Sequence, residues 1–209
     1  INSEDEDQLY SIVNDKKIYR LEHQTKILLD KIQLSPGTKI LDYGCAKGSV
    51  MKRLINLRKD IKPYLFDVSE MYISFWKDFA KPDQWSTYNL KPEWINFFDV
   101  VTSFFVLEHV PYPADELIKI NKVLKDEGIL YFIVPNVYRN KADFILLDHI
   151  NHFSTISISY LLEKTGFELI SIDEDAHNAA FVVVARKSKN KIDYEPDAKL
   201  LNSIKKEVY

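Results

Sequence analysis

A single cysteine, Cys45, serves all 209 residues, which excludes an intrachain disulfide and fits a reducing compartment. No apolar run approaches the roughly 20 residues that cross a bilayer, so membrane insertion is not expected and a cytoplasmic location is the default. Basic residues form no block: 28 Lys and Arg stand against 31 Asp and Glu, a net charge of −3. Charge therefore does not favour nucleic acid or an anionic membrane as partner. Internal repeats and low-complexity tracts are missing too. The chain opens on Ile1 instead of methionine, which leaves room for an upstream segment or a removed targeting signal. The partner expected on these grounds is a small molecule.

What is present supports one domain with a full core, since 46% of the residues are hydrophobic and 13% aromatic. The densest information lies in residues 38–48, TKILDYGCAKG. A short apolar strand there runs into a glycine turn and then a helix beginning near Ser49. Asp42 ends the strand, and Gly44 and Gly48 let the backbone approach a ligand with no Cβ between them. The N–H groups that open the next helix face the same space. A nucleotide-bearing cofactor suits such a junction. A dinucleotide fingerprint wants three glycines as G-x-G-x-x-G, and the run from Gly44 to Gly48 has two.

Hydrophobic periodicity divides the rest. Residues 1–7 are polar and acidic. From about 9 to 32, Ile12, Tyr19, Ile27, Leu28 and Ile32 recur at helical spacing, which predicts one or two helices before the first strand. Strands are expected at 38–42, 63–67, 85–88, 97–103, 129–134, 168–172 and 179–186. Helices are expected after Ser49, around Met71, Phe75 and Trp76, from Pro113, and from Thr155 as N-cap to Gly166 as C′ residue. A polar surface helix is expected at 197–207. Alternation of strand and helix implies a mostly parallel sheet. The expected organisation is a helical segment at 1–35, a ligand-binding domain at 36–187 and a polar tail at 188–209.

Several of these stretches together resemble the class I S-adenosylmethionine (SAM) methyltransferases. L-D-Y-G-C-A-K-G is similar to that family's first motif, D/E-x-G-x-G-x-G, with Ala46 in place of its middle glycine. Y-L-F-D-V-S-E, residues 64–70, resembles the second, an acid closing the second strand. F-D-V-V-T-S-F-F-V-L-E-H-V (98–110) and V-L-K-D-E-G-I-L-Y-F-I-V-P-N (123–136) look like the fourth and fifth strands, with Asp126-Glu127 where members often carry Pro-Gly. The likeness covers about residues 27–186. It implies a Rossmann-like, doubly wound α/β fold with a mostly parallel seven-stranded sheet and helices on both faces, and SAM as cofactor. Carried over residue by residue, it implies a cofactor site of Asp42, Gly44, Cys45 and Gly48 at the glycine turn and Asp67 at the ribose. Val68 is expected on the adenine face, Asn89 near the adenine amine, and Phe104 beside the methionine part. Arg20 or His23 is within reach of the methionine carboxylate.

Methyl transfer chiefly requires alignment and exclusion of water, with a base where the acceptor is protonated. Three histidines stand where a base would help: His109 in L-E-H-V after the fourth strand, and His149 and His152 in D-H-I-N-H-F-S. The loop that carries the latter pair, about 136–154, is long for a compact domain. A related H-x-x-H-F-S stretch occurs in methyltransferases associated with bacterial surface-glycan pathways, so polysaccharide biosynthesis is the expected setting. Metal ligation by Asp148, His149 and His152 is an alternative, although their spacing matches no standard motif, and no metal is expected. The preferred reading is methyl transfer to oxygen or nitrogen of a small acceptor. The alternatives are a nicotinamide-dependent oxidoreductase or epimerase and a non-catalytic SAM-fold module.

Overall fold

The computed structural model describes residues 7–189; the expected helix at 197–207 lies outside them. The chain begins with a hairpin, β1 (Leu9–Val13) and β2 (Lys16–Tyr19), antiparallel and joined by Asn14 and Asp15. Both turn residues have positive φ, 49° and 62°, the backbone that a two-residue turn between twisted strands requires. This corrects the helical expectation for the start of the 9–32 stretch. Asn and Asp enter the left-handed region at low cost, and helix α1 (Arg20–Lys31) starts only after Tyr19, whose backbone is extended. Ile12 and Tyr19 are exposed, so they are not part of the buried stripe, whereas Ile27 and Leu28 are.

The central elements follow as strand and helix in turn: β3 (Lys39–Tyr43), α2 (Ser49–Leu57), β4 (Lys62–Asp67), α3 (Ile73–Trp76), β5 (Trp85–Thr87), β6 (Phe98–Phe104), α4 (Pro113–Val123) and β7 (Leu124–Pro135). After α5 (Thr155–Lys164) come β8 (Phe167–His177) and β9 (Ala180–Lys187). The seven-stranded sheet has the order β5-β4-β3-β6-β7-β9-β8. Its first five strands are parallel, and β9 runs antiparallel to both β7 and β8. From β3 the chain moves outward to β4 and β5, then returns to place β6 on the other side of β3. Strand order therefore reverses between β3 and β6, the place where open α/β sheets bind ligands.

Neighbouring residues on a strand point to opposite faces, and the core divides accordingly. Ile40 and Val100 pack with Leu54 and Trp76 on the face covered by α1, α2 and α3. Leu41 and Val101 pack with Leu117, Ile120, Ile158 and Leu162 on the face covered by α4 and α5. The chain is thus a doubly wound, mostly parallel seven-stranded α/β sheet with helices on both faces.

Other departures from expectation are local. Met71 lies in a 3-10 turn, Glu70–Tyr72, and is exposed; only Ile73–Trp76 is α-helical there. Ser154, not Thr155, is the N-cap of α5. Its hydroxyl accepts from Ser157 N at 3.1 Å while Ser157 Oγ accepts from Ser154 N at 2.9 Å, a reciprocal capping box. Gly166 takes the left-handed C′ position at φ 81°. β7 begins at Leu124, five residues before expectation, because Leu124 pairs with Phe98 before a register shift.

Candidate active site

At the reversal point a cavity of about 410 Å³ opens between the glycine turn, the N-terminus of α2 and helix α1. Its walls include Asp42, Gly44, Cys45, Ala46, Arg20 and Phe104, so most of the site residues expected from the glycine junction meet in one place. Gly44 has φ 75°, and a Cβ there would lie 2.5 Å from a Val106 methyl. Glycine is therefore required at this position on two counts. Gly48 is the N-cap of α2, with φ 69°.

Asp42 is buried, and its Oδ1 accepts a hydrogen bond from the Thr102 hydroxyl on β6 at 3.0 Å. Burial pushes its carboxyl up to about 7, partly opposed by that hydrogen bond and reinforced by the charge of Asp67. Burial likewise pushes the Cys45 thiol well above its ordinary range, so Cys45 acts as a small apolar wall residue, not a nucleophile.

Asp67 ends β4 beside the turn, outside the cavity lining. Its Oδ2 accepts from Ala46 N at 2.8 Å and its Oδ1 from Ser69 N at 3.0 Å. Each oxygen keeps a second lone pair, so these bonds orient the carboxylate without exhausting it. Val68 is exposed. Asn89 is exposed as well and does not line the cavity; its carbonyl accepts from Ser86 Oγ in the turn after β5. His23 is directed elsewhere: its Nε2 bonds the Ala176 carbonyl at 2.9 Å and its ring stacks on Tyr10.

Arg20 reaches the cavity from α1, its guanidinium over the Phe105 ring at 4.7 Å and bonded to Gln8 Oε1. Gln24, one turn further along α1, shares that wall, and its amide nitrogen has no hydrogen-bond partner among the described residues. Sequence reasoning missed Gln24, Tyr72 and the hairpin approach residues Asp7 and Gln8. Helical spacing of Gln24 from Arg20 was the one available signal.

The three histidines gather beyond β6. His109 and His149 make an edge-to-face ring contact with centroids 4.7 Å apart. His109 Nδ1 lies 2.9 Å from the Asp148 carbonyl, and His149 Nδ1 lies 2.7 Å from Asp143 Oδ1. His152 Nδ1 is 3.4 Å from the other oxygen of Asp143. Asp143 is buried and sits in the 3-10 turn Lys141–Ile145; nothing in its spacing marked it. Glu108 is fully buried, and neither of its carboxylate oxygens has a hydrogen-bond partner among the described residues. Burial raises its carboxyl to about 8, with Asp143 raising it further and Arg20 pulling it down. That mutual influence links the histidine rim to the cavity wall. Trp76, Trp94 and Phe98 are all buried in the core and do not face this rim.

Comparison with known proteins agrees with this geometry. Residues 15–172 match the methyltransferase domain family. The chain is 30% identical over 107 residues to the ubiquinone biosynthesis O-methyltransferase of Nitrosococcus oceani, covering 48% of this chain and 44% of that protein. It is 32% identical over 121 residues to the mitochondrial ubiquinone biosynthesis O-methyltransferase of Schizosaccharomyces pombe, covering 53% of this chain and 42% of that protein. The match thus spans less than half the length of either relative. A solved SAM-dependent methyltransferase from Aquifex aeolicus superposes with a TM-score of 0.61 at 19% identity, over 78% of this chain and 89% of that one, which speaks for the fold. No helix among the described residues is long and apolar enough to cross a membrane. With the family match covering most of the chain and the glycine turn at the reversal point, the chain belongs to the methyltransferase domain family, and the cofactor of that domain is S-adenosylmethionine.

Proposed function

We propose that this protein transfers a methyl group from SAM to a hydroxyl oxygen of a small molecule. The cofactor lies in the cavity under β3 and β6, and the acceptor enters at the histidine rim. One observation carries the reading: the cavity at the strand reversal is walled by the glycine turn, the acid Asp42 and the α2 N-terminus together. Its volume falls in the range of about 300–1,000 Å³ usual for small-ligand sites. The donor set fits the cofactor. Arg20 and the unpartnered Gln24 amide suit its carboxylate, Asp42 suits its cationic amine, and the lone pairs left on Asp67 suit ribose hydroxyls. Val68, exposed next to Asp67, is the residue assigned to the adenine face; Gly44, Cys45 and Phe104 line the wall, and Gly48 caps α2.

Bound SAM supplies an electrophilic methyl on a sulfonium that departs as a neutral thioether. The rim supplies the base. His109 and His149 each have Nδ1 engaged, which leaves Nε2 as the basic nitrogen, and His152 stands beside them on Asp143. The hydroxyl proton passes to one of these nitrogens as oxygen forms its bond to carbon. Oxygen as acceptor atom is supported by the names of the curated relatives, both O-methyltransferases. A sugar or surface-glycan precursor is the acceptor that the D-H-I-N-H-F-S resemblance favours. Nitrogen acceptors need no proton removal when the amine is neutral, so they make less use of the rim. A nicotinamide site is disfavoured by the missing third glycine.

Calorimetric titration with S-adenosylhomocysteine, run beside NAD and NADP, tests the reading. Saturable binding of the former alone is expected. Dinucleotide binding without it would overturn the proposal and move the search to redox chemistry.

A further inference from the structure

The geometry points to a divalent-cation site formed by Glu108, His109 and His149 on the acceptor side of the cavity. One ligating atom from each residue lies within 4.8 Å of those of the other two. Bonds of about 2.0–2.2 Å to a common ion place ligand atoms roughly 3–4 Å apart, so modest side-chain rotation closes the set.

Three features favour a cation over an ordinary polar cluster. First, Glu108 is fully buried with both oxygens unpartnered among the described residues, an arrangement that is costly unless a positive group is supplied. The nearest histidine nitrogen, His109 Nε2, is 4.0 Å away, too far for a hydrogen bond, and Arg20 is engaged by Gln8 and Phe105. Second, the His109 Nδ1 contact is to a carbonyl, which only accepts, so Nδ1 carries the proton and Nε2 the lone pair. Third, His149 Nδ1 faces Asp143 in the same way. A carboxylate or carbonyl behind each imidazole is the usual support of a metal-binding histidine, fixing its tautomer and its aim.

Two imidazole nitrogens and one carboxylate suit Zn²⁺, Mn²⁺ or Fe²⁺, and not Ca²⁺, which takes six to eight oxygens. Three protein ligands leave positions for water and for an acceptor oxygen. In that role, which rests on the reading of the rim as the acceptor side, the cation makes the bound hydroxyl more acidic. Its proton passes to His152, outside the ligand set; the oxygen keeps the O–H bonding pair and uses it to form the new O–CH₃ bond.

The test uses the full chain, stripped with EDTA and titrated with Mn²⁺ followed by electron paramagnetic resonance and with Zn²⁺ by calorimetry, with and without S-adenosylhomocysteine. One cation per chain is expected. Glu108→Gln and His149→Ala should each weaken binding by about ten-fold or more, while His152→Ala leaves it near the wild-type value. Circular dichroism and S-adenosylhomocysteine affinity report whether each variant is folded; if Glu108→Gln is not, His109→Asn takes its place. Absence of cation binding by the wild-type chain overturns the proposal, as does equal affinity in the ligand variants or loss of binding in His152→Ala. Loss of S-adenosylhomocysteine binding by the wild-type chain would instead overturn the methyltransferase reading, so the two failures are distinct.

Discussion

The Thr102 hydroxyl donates a hydrogen bond to the Asp42 carboxylate across the gap where strand order reverses, at 3.0 Å and with both residues buried. The pair is also in register between β3 and β6, so the sheet itself sets the geometry. Asp42 nevertheless remains a buried acid with its carboxyl raised to about 7. A group whose folded value lies above its unfolded one contributes stability at low pH and loses it as pH rises. Here the loss begins near 4 and completes above 7. Asp42→Asn should therefore raise the melting temperature of the cofactor-free protein at pH 8, by up to about 4 kcal/mol of stability, and change it little at pH 4. It should also abolish S-adenosylhomocysteine binding. Unchanged melting at pH 8 would show that Asp42 is not held at a cost.

Ala46 occupies the left-handed region at φ 46°, where a Cβ costs roughly 1–2 kcal/mol. Its peptide is clamped from both sides, N–H to Asp67 and carbonyl to the Trp76 indole, each at 2.8 Å. Ala46→Gly relieves the strain but loosens the unfolded chain by up to about 1 kcal/mol, so its stability should equal or slightly exceed wild type, with cofactor affinity retained. Ala46→Val adds a branched side chain at the same φ and should lose about 2 kcal/mol or more, together with cofactor binding. Chemical denaturation of the two variants checks both signs; a stable Val variant would mean the turn is free to rearrange.

The parallel strands β3, β4 and β6 were legible because each is a mostly apolar, mostly buried run, as Val100 and Val101 illustrate, and because Gly44 and Gly48 punctuate the turn between β3 and α2. The hairpin was not. Ile12 and Tyr19 fall at helical spacing by chance, and only the left-handed preference of Asn14-Asp15 argued against a helix. At the site, the residues next to the glycine junction could be read from one short segment. Asp143, Gln24 and the unpartnered state of Glu108 depend on contacts between distant segments, which no local pattern encodes. Asn89 failed to reach the cavity because β5 ends at Thr87 and the chain turns back on Ser86.

The loop that carries His149 and His152 presents Tyr138, Phe144, Ile145 and Leu147 to solvent, Leu147 at 98% exposure. Apolar side chains held in the open beside a histidine rim suit contact with an acceptor better than support of the fold. Leu147→Ser should leave the melting temperature within about 0.5 kcal/mol of wild type. Once an acceptor is in hand, the same variant should raise its KM while S-adenosylhomocysteine affinity stays constant. An unaltered KM would remove this loop from acceptor recognition.

The N-terminal hairpin is tied to the far edge of the sheet by a cluster of rings. Tyr10 stacks on His23 at 3.7 Å and accepts from Asn178 N at 2.8 Å, and both rings contact His177. Burial lowers the His177 imidazole to about 4, with the positive charges of His23 and Arg20 acting in the same direction. A histidine depressed in this way is neutral in the folded protein, so stability is complete above about 6.5 and falls as pH drops from there to 4. The loss is at most about 2–3 kcal/mol, since His177 keeps some contact with solvent. Asp7 and Gln8, which lead into the hairpin, line the cavity at the strand reversal, so on the proposed reading protonation of this joint should weaken cofactor binding as well as stability. His177→Asn keeps a polar side chain but cannot gain the proton. The difference in unfolding free energy between wild type and variant should therefore shrink between pH 7 and pH 4, and the acid-side fall in S-adenosylhomocysteine affinity should flatten. Parallel pH profiles for the two proteins would assign the acid sensitivity to other groups and leave the ring cluster with a packing role alone.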